Sequence, residues 1–342
     1  MKKRVTIADI ARELNITPAT VSRALSNHPE ISAATKKVVQ EAAEKLDYNR
    51  NKIASSLRSG RTNVIGVLIP TAEHIFFGSV IHGISNIASK NGYDILIYQS
   101  NESQQFEKKG IDAFISARVD GILASIAKDT TDFSHFTYAK AQNIPIAFFD
   151  RVNNNLGIPS ITIDDYRGAY LATESLIKEG YTRIAHITGP QHIQTFKNRV
   201  RGYRDALQDY QLPALEEWVY EGNVSVEAGR EGASVLLSLT NPPDAIVAVE
   251  DFTALGVLKE LKQRNIPVPQ QFGVFGFCND MFGEHITPSL STIDQQTVLM
   301  GEEAFKMMHE LIQYNGAATG VLSKVLQPIP VIRESSRKTS KP

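Results

Sequence analysis

The sequence predicts a small N-terminal domain of three helices, containing a helix-turn-helix, that is followed by a large α/β domain of two lobes. The chain has 342 residues, which is more than one hydrophobic core usually serves. Its first 61 residues hold twelve lysines and arginines against six acids, whereas the remaining residues hold 24 against 31. A basic head therefore precedes an acidic body. Beyond residue 62, short apolar runs alternate with helical stretches, as in parallel sheets covered by helices.

The composition excludes several classes of protein. Hydrophobic residues make up 42% and charged residues 21% of the chain, which is ordinary for a globular protein and excludes wholesale disorder. The N-terminus lacks the apolar segment of a signal peptide and no run of 18 apolar residues occurs, so we expect a cytoplasmic protein that does not enter a membrane. Cys278 is the single cysteine, which excludes an internal disulfide, and we expect neither a metal nor a cofactor.

The basic head carries start signals for three helices in close succession. Thr6 is a plausible N-cap, and Asp9 follows it at the third position. Thr17 followed by Pro18 opens a second helix, and Ser32 caps a third. Only a few residues separate the first two helices, so the spacing predicts a helix, a tight turn and a second helix. The apolar residues of the third helix recur at three- and four-residue intervals and can close a small core.

The second helix of a helix-turn-helix lies in the major groove, where its early side chains reach base edges and its hydroxyls bind phosphates. Arg23 can contact O6 and N7 of a guanine together, so we expect it to be the main reader of sequence. The alternative is that Arg23 only pairs with an acid of the head. Pro18 and Ala19 offer apolar surface that suits a thymine methyl group. The predicted DNA contacts of the head are Thr6, Thr17, Pro18, Ala19, Thr20, Ser22, Arg23 and Ser26.

Residues 5–70 read VTIADIARELNITPATVSRALSNHPEISAATKKVVQEAAEKLDYNRNKIASSLRSGRTNVIGVLIP, a string that resembles the N-terminus of the LacI/GalR family of bacterial transcription regulators. The resemblance implies a DNA-binding domain at 1–48 and a hinge at 49–61. In that family the hinge folds into a short helix on operator DNA, where two hinge helices of a dimer enter the minor groove. Leu57 corresponds to the family's leucine that wedges between base pairs and kinks the DNA, although a core leucine is the ordinary alternative. The predicted DNA contacts of the hinge are Asn51, Ala54 and Leu57.

The body resembles the same family. Two strings are similar to the family's crossovers between lobes, namely IPSITIDDYRGAYLATESLIKEGYTRIAHITGP and PSLSTIDQQTVLMGEEAF. The resemblance implies a periplasmic-binding-protein-like domain of type I, which binds an effector and dimerises, over residues 62–333. The implied division is lobe 1 at about 62–161 and 292–322, lobe 2 at about 162–291 and 323–333, and a tail at 334–342.

The resemblance also supplies candidate effector-binding residues. Arg199, in TFKNRVRGY, matches the family's effector-gripping arginine, and Thr195 lies in the same string. A guanidinium suits vicinal hydroxyls or an anion. Phe76 and Phe77 match an aromatic pair that could stack on a sugar or a base, or could be core side chains. Asp251, in VEDFTALG, matches a position at a helix start, where it could contact the ligand or cap the helix.

Two departures from the family pattern concern the ligand. The family's G-[FY]-D-[DN] string reads Gly-Phe-Cys-Asn here, so Cys278 replaces an acid that often accepts hydrogen bonds from sugar hydroxyls, and Asn279 follows it. Val224 stands where an aromatic side chain often stacks on the ligand.

Asp150 and Arg151 end an apolar run at the edge where open sheets bind ligands. With two arginines retained and one acid lost, we expect an anionic effector such as a uronate or a sugar phosphate. The candidate effector residues are Phe76, Phe77, Asp150, Arg151, Thr195, Arg199, Asp251, Cys278 and Asn279.

The sequence therefore predicts a sequence-specific DNA-binding transcription regulator, a repressor controlled by a sugar or sugar derivative bound between two lobes. No leucine heptads follow residue 332, so the sequence lacks the coiled coil that makes some members of the family tetramers, and we expect a homodimer. The two-fold symmetry of a dimer predicts a pseudopalindromic operator in double-stranded DNA. The alternatives are a solute-binding receptor of the same two-lobed fold and an enzyme that acts on sugars through Asp150 and Asp251. No common motif of nucleotide, zinc-protease or serine-hydrolase chemistry occurs, and we expect no catalytic residues.

Overall fold

The computed structural model describes residues 5–48, 60–314 and 323–338. The chain divides into two compact units, residues 1–62 and residues 63–342, which we call the head and the body. Most of the predicted hinge, including Asn51, Ala54 and Leu57, lies outside the described residues. In the parts of the chain that the structure describes, no helix is long and apolar enough to cross a bilayer.

The head contains the three predicted helices, each beginning at its predicted cap. The Asp9 carboxylate accepts hydrogen bonds from both the backbone N–H and the hydroxyl of Thr6. The hydroxyl of Thr17 accepts from the backbone N–H of Thr20, and that of Ser32 accepts from the N–H of Thr35. The helices are α1 (Ile7–Glu13), α2 (Pro18–Leu25) and α3 (Ala33–Lys45). Their core is a small cluster around Ile10, Val21 and Val39.

Lobe 1 of the body is built on a parallel sheet whose strand order is β11-β5-β4-β3-β1-β2. The strands are β1 (Val64–Ile69), β2 (Asp94–Gln99), β3 (Gly121–Ala124), β4 (Ile146–Phe149), β5 (Ser160–Ile163) and β11 (Ser323–Leu326). Side chains alternate between the two faces of β1, so Val67 packs toward α4 (Ile75–Lys90) and α12 (Thr297–Gln313), whereas Leu68 packs on the other face. That second face is covered by α5 (Gln104–Ala117) and α6 (Ser134–Ala141).

Lobe 2 has the same layered design on a smaller parallel sheet, with the order β7-β6-β8-β9. Its strands are β6 (Ile184–Thr188), β7 (Val219–Glu221), β8 (Ala245–Ala248) and β9 (Gly273–Phe275). Its helices are α7 (Asp165–Lys178), α8 (Gln194–Asp209), α9 (Val226–Leu237), α10 (Asp251–Gln263) and α11 (Phe282–His285). Helices α7 and α8 cover one face and α9 and α10 cover the other, as is usual for a parallel sheet.

The C-terminal segments differ from the predicted division of the lobes. We expected residues 323–333 in lobe 2, but β11 pairs with β5 in the sheet of lobe 1, with Leu326 opposite Ile163. The following strand, β12 (Ile329–Val331), pairs antiparallel with β10 (Thr292–Asp294) at the crossover. The interruption at Gln327 and Pro328 separates these two strands, and the open edge of β5 supplies hydrogen-bonding groups for the first of them.

The predicted tail, residues 334–342, also begins too early in the chain, because its first residues belong to the fold. Ser335 and Ser336 are fully buried against lobe 2. The backbone oxygen of Ser335 accepts from the N–H of Val274, and its hydroxyl donates to the Val274 oxygen. The chain from residue 334 therefore continues the fold of lobe 2 through at least Ser336.

Candidate functional site

The body contains a cavity between the two lobes, at the carboxyl ends of the strands of both sheets. Open parallel sheets bind ligands at this edge, because loops from several strands converge there. The cavity encloses about 500 Å³ including its mouth, and we call it the central cavity. Its lining residues are His74, Phe76, Phe77, Glu102, Lys128, Asp150, Arg151, Thr195, Phe196, Arg199, Val224, Glu250, Cys278 and Gln295.

The structure brings most of the candidate effector residues together in the central cavity. Seven of the nine line it, namely Phe76, Phe77, Asp150, Arg151, Thr195, Arg199 and Cys278. Glu102, Lys128 and Glu250, which follow β2, β3 and β8, also line the cavity and were not among the predicted residues. The sequence could have indicated these residues, because each is a charged residue just beyond the end of an apolar run.

The Arg199 guanidinium is held in place by lobe 2 and the crossover. Its side chain is only 4% exposed, and Asp165 Oδ1 lies 2.9 Å from its Nε and 2.8 Å from its Nη2. Nη1 donates to the Val249 oxygen at 2.5 Å, and Nη2 donates to Gln295 Oε1 at 3.4 Å. The guanidinium also stacks on Phe277, 3.6 Å from the ring centre. Burial raises the pKa of Asp165 to about 6, although the charge of Arg199 acts in the opposite direction.

The Arg151 guanidinium is paired within lobe 1. Its Nη1 donates to both carboxylate oxygens of Glu102, at 3.0 and 2.8 Å, and its Nε lies 3.9 Å from Asp150 Oδ2. The Asp150 carboxylate accepts a hydrogen bond from Ser125, and burial raises its pKa although Arg151 opposes that shift. Lys128 Nζ lies 3.9 Å from Glu102, so two cations share one carboxylate.

The charges of the central cavity argue against the anionic effector that we expected. Three cationic side chains line the cavity, and Glu102, Asp150 and Glu250 supply three carboxylates. Asp165 adds a fourth acid behind Arg199. The described lining therefore has no excess positive charge to attract an anion. Sequence could not show this balance, because Arg199 and Asp165 are 34 positions apart.

Asp251 and Asn279 are engaged inside the fold and do not line the central cavity. Asp251 is fully buried, and its carboxylate accepts from the backbone N–H of Asp280 and from the Thr292 hydroxyl. The capping role belongs to the preceding residue, Glu250, whose carboxylate accepts from the N–H groups of Phe252 and Thr253. Asp251 therefore neither lines the central cavity nor caps α10, and its carboxylate instead binds Asp280 and Thr292 inside the fold.

Asn279 lies beside Asp280 in the loop after β9, and its side chain makes its hydrogen bonds outside the cavity. Its amide nitrogen donates to Asp294, and its amide oxygen accepts from Nη2 of Arg333. Cys278 does reach the cavity, where its sulfur accepts a hydrogen bond from the Gln295 amide at 3.2 Å. Burial raises the pKa of the Cys278 thiol, so it stays protonated.

Several contacts join the two lobes across the central cavity. Lys128 Nζ donates to Asn223 Oδ1 at 2.9 Å, and His192 Nε2 lies 2.6 Å from the Lys128 backbone oxygen. His74 Nδ1 lies 3.7 Å from Glu250 Oε2. Lys128 and His74 come from lobe 1, whereas their partners come from lobe 2. The lobes are thus closed on each other in this structure.

The head presents most of its predicted DNA contacts on one exposed surface of α2. Val21 and Ala24 are buried on the opposite side of the same helix. Arg23 is mainly exposed, and its Nη1 makes a 3.4 Å ion pair with Glu30, whose side chain is 67% exposed. Such a weak surface pair can exchange for a DNA contact. Thr6, Thr17, Pro18, Ala19 and Ser26 are exposed, and Thr20 and Ser22 are partly exposed.

A helix-turn-helix head and a body with a cavity between two α/β lobes define a DNA-binding protein controlled by a small molecule. Residues 62–335 match the family described as periplasmic binding proteins and sugar binding domain of LacI family. Residues 6–51 match the bacterial regulatory proteins of the lacI family. The chain therefore belongs to the LacI family, whose members are transcription regulators and not enzymes. It is a DNA-binding repressor of the effector-controlled type.

Named relatives have the same organisation. Catabolite control protein A of Priestia megaterium is 31% identical over 89% of this chain and 91% of its own. The transcriptional repressor CytR of Escherichia coli K12 is 30% identical over 97% of this chain and 96% of its own. The structure of the lac repressor dimer bound to operator and an anti-inducer superposes with a TM-score of 0.86 at 23% identity, covering 98% of this chain and all of that one. These likenesses span both the head and the body.

Proposed function

We propose that the effector of this repressor is a neutral sugar bound in the central cavity. The observation that carries the proposal is the lining, in which phenylalanine rings lie beside paired carboxylates and guanidinium groups. Phe76 and Phe77 offer apolar surface to the faces of a sugar ring. Asp150 and Arg151 offer acceptors and donors to neighbouring hydroxyls. The family description, which includes a sugar binding domain, supports the same class of ligand.

Thermal unfolding of the full chain against a panel of small molecules tests this proposal. The panel contains neutral sugars, uronates and phosphosugars at equal concentrations. A ligand at 100 times its dissociation constant stabilises the folded state by about 2.7 kcal/mol. We expect the unfolding temperature to rise with a neutral sugar. A rise confined to the uronates or phosphosugars would restore the anionic effector, and no rise with any member would reject a sugar.

In this proposal the protein is cytoplasmic and acts as a homodimer on a pseudopalindromic operator in double-stranded DNA. One α2 per chain reads one half-site, so two chains are needed for two half-sites. An apolar surface for a second copy is present at β2, which forms an edge of the lobe 1 sheet. Leu96 and Ile97 on this strand are 40% and 45% exposed. Sedimentation velocity should show a dimer, and a stable tetramer would contradict the proposal.

Effector and operator are coupled through the closure of the lobes. The sugar would contact Asp150 and Arg151 from lobe 1 and Arg199 from lobe 2, so it binds more tightly to the closed form. A ligand that favours one arrangement of the lobes changes the affinity for operator, and by linkage the operator changes the affinity for the ligand equally.

A further inference from the structure

The loop after α2 folds back on that helix and places an acid beside the arginine that we expect to read bases. Asn27 has a left-handed backbone conformation with a φ of 54°, so the chain reverses directly after α2. The backbone N–H of His28 donates to the Arg23 oxygen at 3.0 Å, and the Lys36 ammonium of α3 donates to the Asn27 oxygen at 3.3 Å. The folded loop thereby brings Oε2 of Glu30 to 3.4 Å from Nη1 of Arg23.

The contact with Glu30 engages one end of the Arg23 guanidinium and leaves another edge open. An arginine carries five N–H donors in a planar fork. Among the described residues, only Nη1 of this fork has a hydrogen-bond partner, so the donors on Nε and Nη2 stay available. Two parallel donors on that edge match O6 and N7 of a guanine. The ion pair and the base contact can therefore exist at the same time.

A carboxylate at this position opposes binding to the DNA backbone. Glu30 is exposed, and α2 contains no acid of its own. DNA bound without regard to sequence is held by attraction between phosphates and basic side chains, which the charge of Glu30 weakens. An operator also gains a guanine contact from Arg23, whose side chain Glu30 already restricts, so less conformational entropy is lost on binding. The same acid lowers affinity for random DNA and supports the contact to guanine.

We propose that Glu30 is a specificity-determining residue of this repressor, which positions the Arg23 guanidinium for guanine and disfavours binding to other DNA. Glu30 acts through Arg23 and does not itself contact a base. Pairing with an acid and reading of a base, which the sequence presented as alternatives for Arg23, then use different donors of one guanidinium. Recognition of the operator by this pair of residues is independent of the effector and of the central cavity.

Fluorescence anisotropy with the full chain tests the role of Glu30. The probes are an operator selected from randomised pseudopalindromic DNA, random DNA, and the operator with one guanine of one half-site changed to each other base. That guanine is the position at which Arg23→Ala loses base preference. Glu30→Gln should lower the preference for it about three- to fivefold, the upper part of the range for a surface ion pair. The same variant should bind random DNA more tightly, because a negative charge is removed.

A double variant separates positioning from a general effect of charge. In the Arg23→Ala background, Glu30→Gln should leave base preference at that position unchanged, because no guanidinium remains to be oriented. The matched control is Glu41→Gln on α3, since Glu41 is 64% exposed and lies 4.0 Å from Lys37. This control removes the same charge from a similar pair and should change affinity for all probes alike.

Three results would overturn the proposal. A Glu30→Gln protein that prefers guanine as strongly as the Glu41→Gln control would leave Glu30 a surface charge. A change of base preference by Glu30→Gln in the Arg23→Ala background would mean that Glu30 acts on DNA without Arg23. Equal weakening of every probe by Arg23→Ala would remove the base reading that Glu30 is assigned to support.

Discussion

Arg199 illustrates how single residues of this protein are fixed by partners that are distant in sequence. Its guanidinium meets Asp165, the Val249 oxygen and the Gln295 amide, and Phe277 covers one of its faces. A buried arginine with this many partners cannot move to fit a ligand. It can present only its remaining surface to the central cavity, which makes the site ordered before the effector arrives.

Arg23 is the residue that we expect to read sequence in the operator. Replacing it by alanine should cost about 1–3 kcal/mol of binding free energy at one base step, because the bidentate contact to guanine is lost. Fluorescence anisotropy against operators altered at single positions measures this loss. Lys37→Ala, which removes an exposed charge from α3, is the control and should weaken all operators alike. Uniform weakening by Arg23→Ala would make Arg23 a phosphate contact instead.

Asp280 should make the stability of lobe 2 depend on pH. Burial and the nearby charge of Glu250 raise the pKa of Asp280 to about 7, above an unfolded value near 3.8. Since the folded state disfavours the ionised form, stability is lost as pH rises from about 4 to 7. Asp280→Asn removes that loss. The free energy of unfolding of the variant, minus that of the unchanged protein, should therefore be about 1–3 kcal/mol larger at pH 8 than at pH 5.

Urea unfolding followed by the fluorescence of Trp218 measures this difference. Trp218 is the single tryptophan of the chain and is fully buried in lobe 2, so it reports on the lobe that holds Asp280. Asp112→Asn, at an exposed position on α5, serves as the matched control and should show the same pH profile as the unchanged protein. An Asp280→Asn profile parallel to that of the unchanged protein would contradict the assigned pKa.

Sequence could identify residues that line the central cavity, but not their charge environment. The resemblance to the family singled out Arg199 and Phe77, and both line the central cavity. The pairing of Arg151 with Glu102 was invisible, because 49 positions separate the two residues. Asp251 was misjudged for a related reason, since its partners at Thr292 and Asp280 come close only when β10 folds beside the end of β9.

At the scale of elements, pairs of helices approach closely at glycines. A Cβ atom at Gly202 of α8 would lie 2.1 Å from the Tyr166 oxygen of α7, and one at Gly301 of α12 would lie 2.1 Å from the Val80 oxygen of α4. A backbone carbonyl cannot yield as a flexible side chain can. These glycines therefore set the distance between helices that cover the same face of a sheet.

Gly202→Ala should destabilise lobe 2 by about 1–3 kcal/mol, because the added methyl group forces α7 and α8 apart. Gly78→Ala is the matched control, since Gly78 lies inside α4 with no atom within 4 Å of the added Cβ. That change should be neutral or stabilise by up to about 1 kcal/mol. Thermal unfolding of both variants distinguishes the effects. A Gly202→Ala protein as stable as the control would show that the helix pair can adjust freely.

Sequence predicted the elements that have strong local signals. The caps of the head, at Thr6, Thr17 and Ser32, are confirmed, and so is the alternation of strands and helices in the body. Strands of three or four residues were harder to assign. β11 and β12 follow each other closely, and only the open edge of β5 decides that the first belongs to lobe 1.

In the whole molecule, several polar contacts join the two lobes of the body. Lys128 is involved in two of them, through its side chain to Asn223 and through its backbone oxygen to His192. It also lies against Glu102, which holds Arg151 in the central cavity. A ligand that touches Arg151 therefore acts on the same group of side chains that joins the lobes.

We propose that a sugar bound in the body controls how tightly the protein binds operator DNA. The most direct test measures the affinity of the full chain for an operator selected from randomised pseudopalindromic DNA, with and without the saccharide that raises its unfolding temperature. We predict a change of tenfold or more in the dissociation constant for the operator, in either direction, with a much smaller change for random DNA. A saccharide that stabilises the protein and leaves the operator affinity unchanged would contradict the claim.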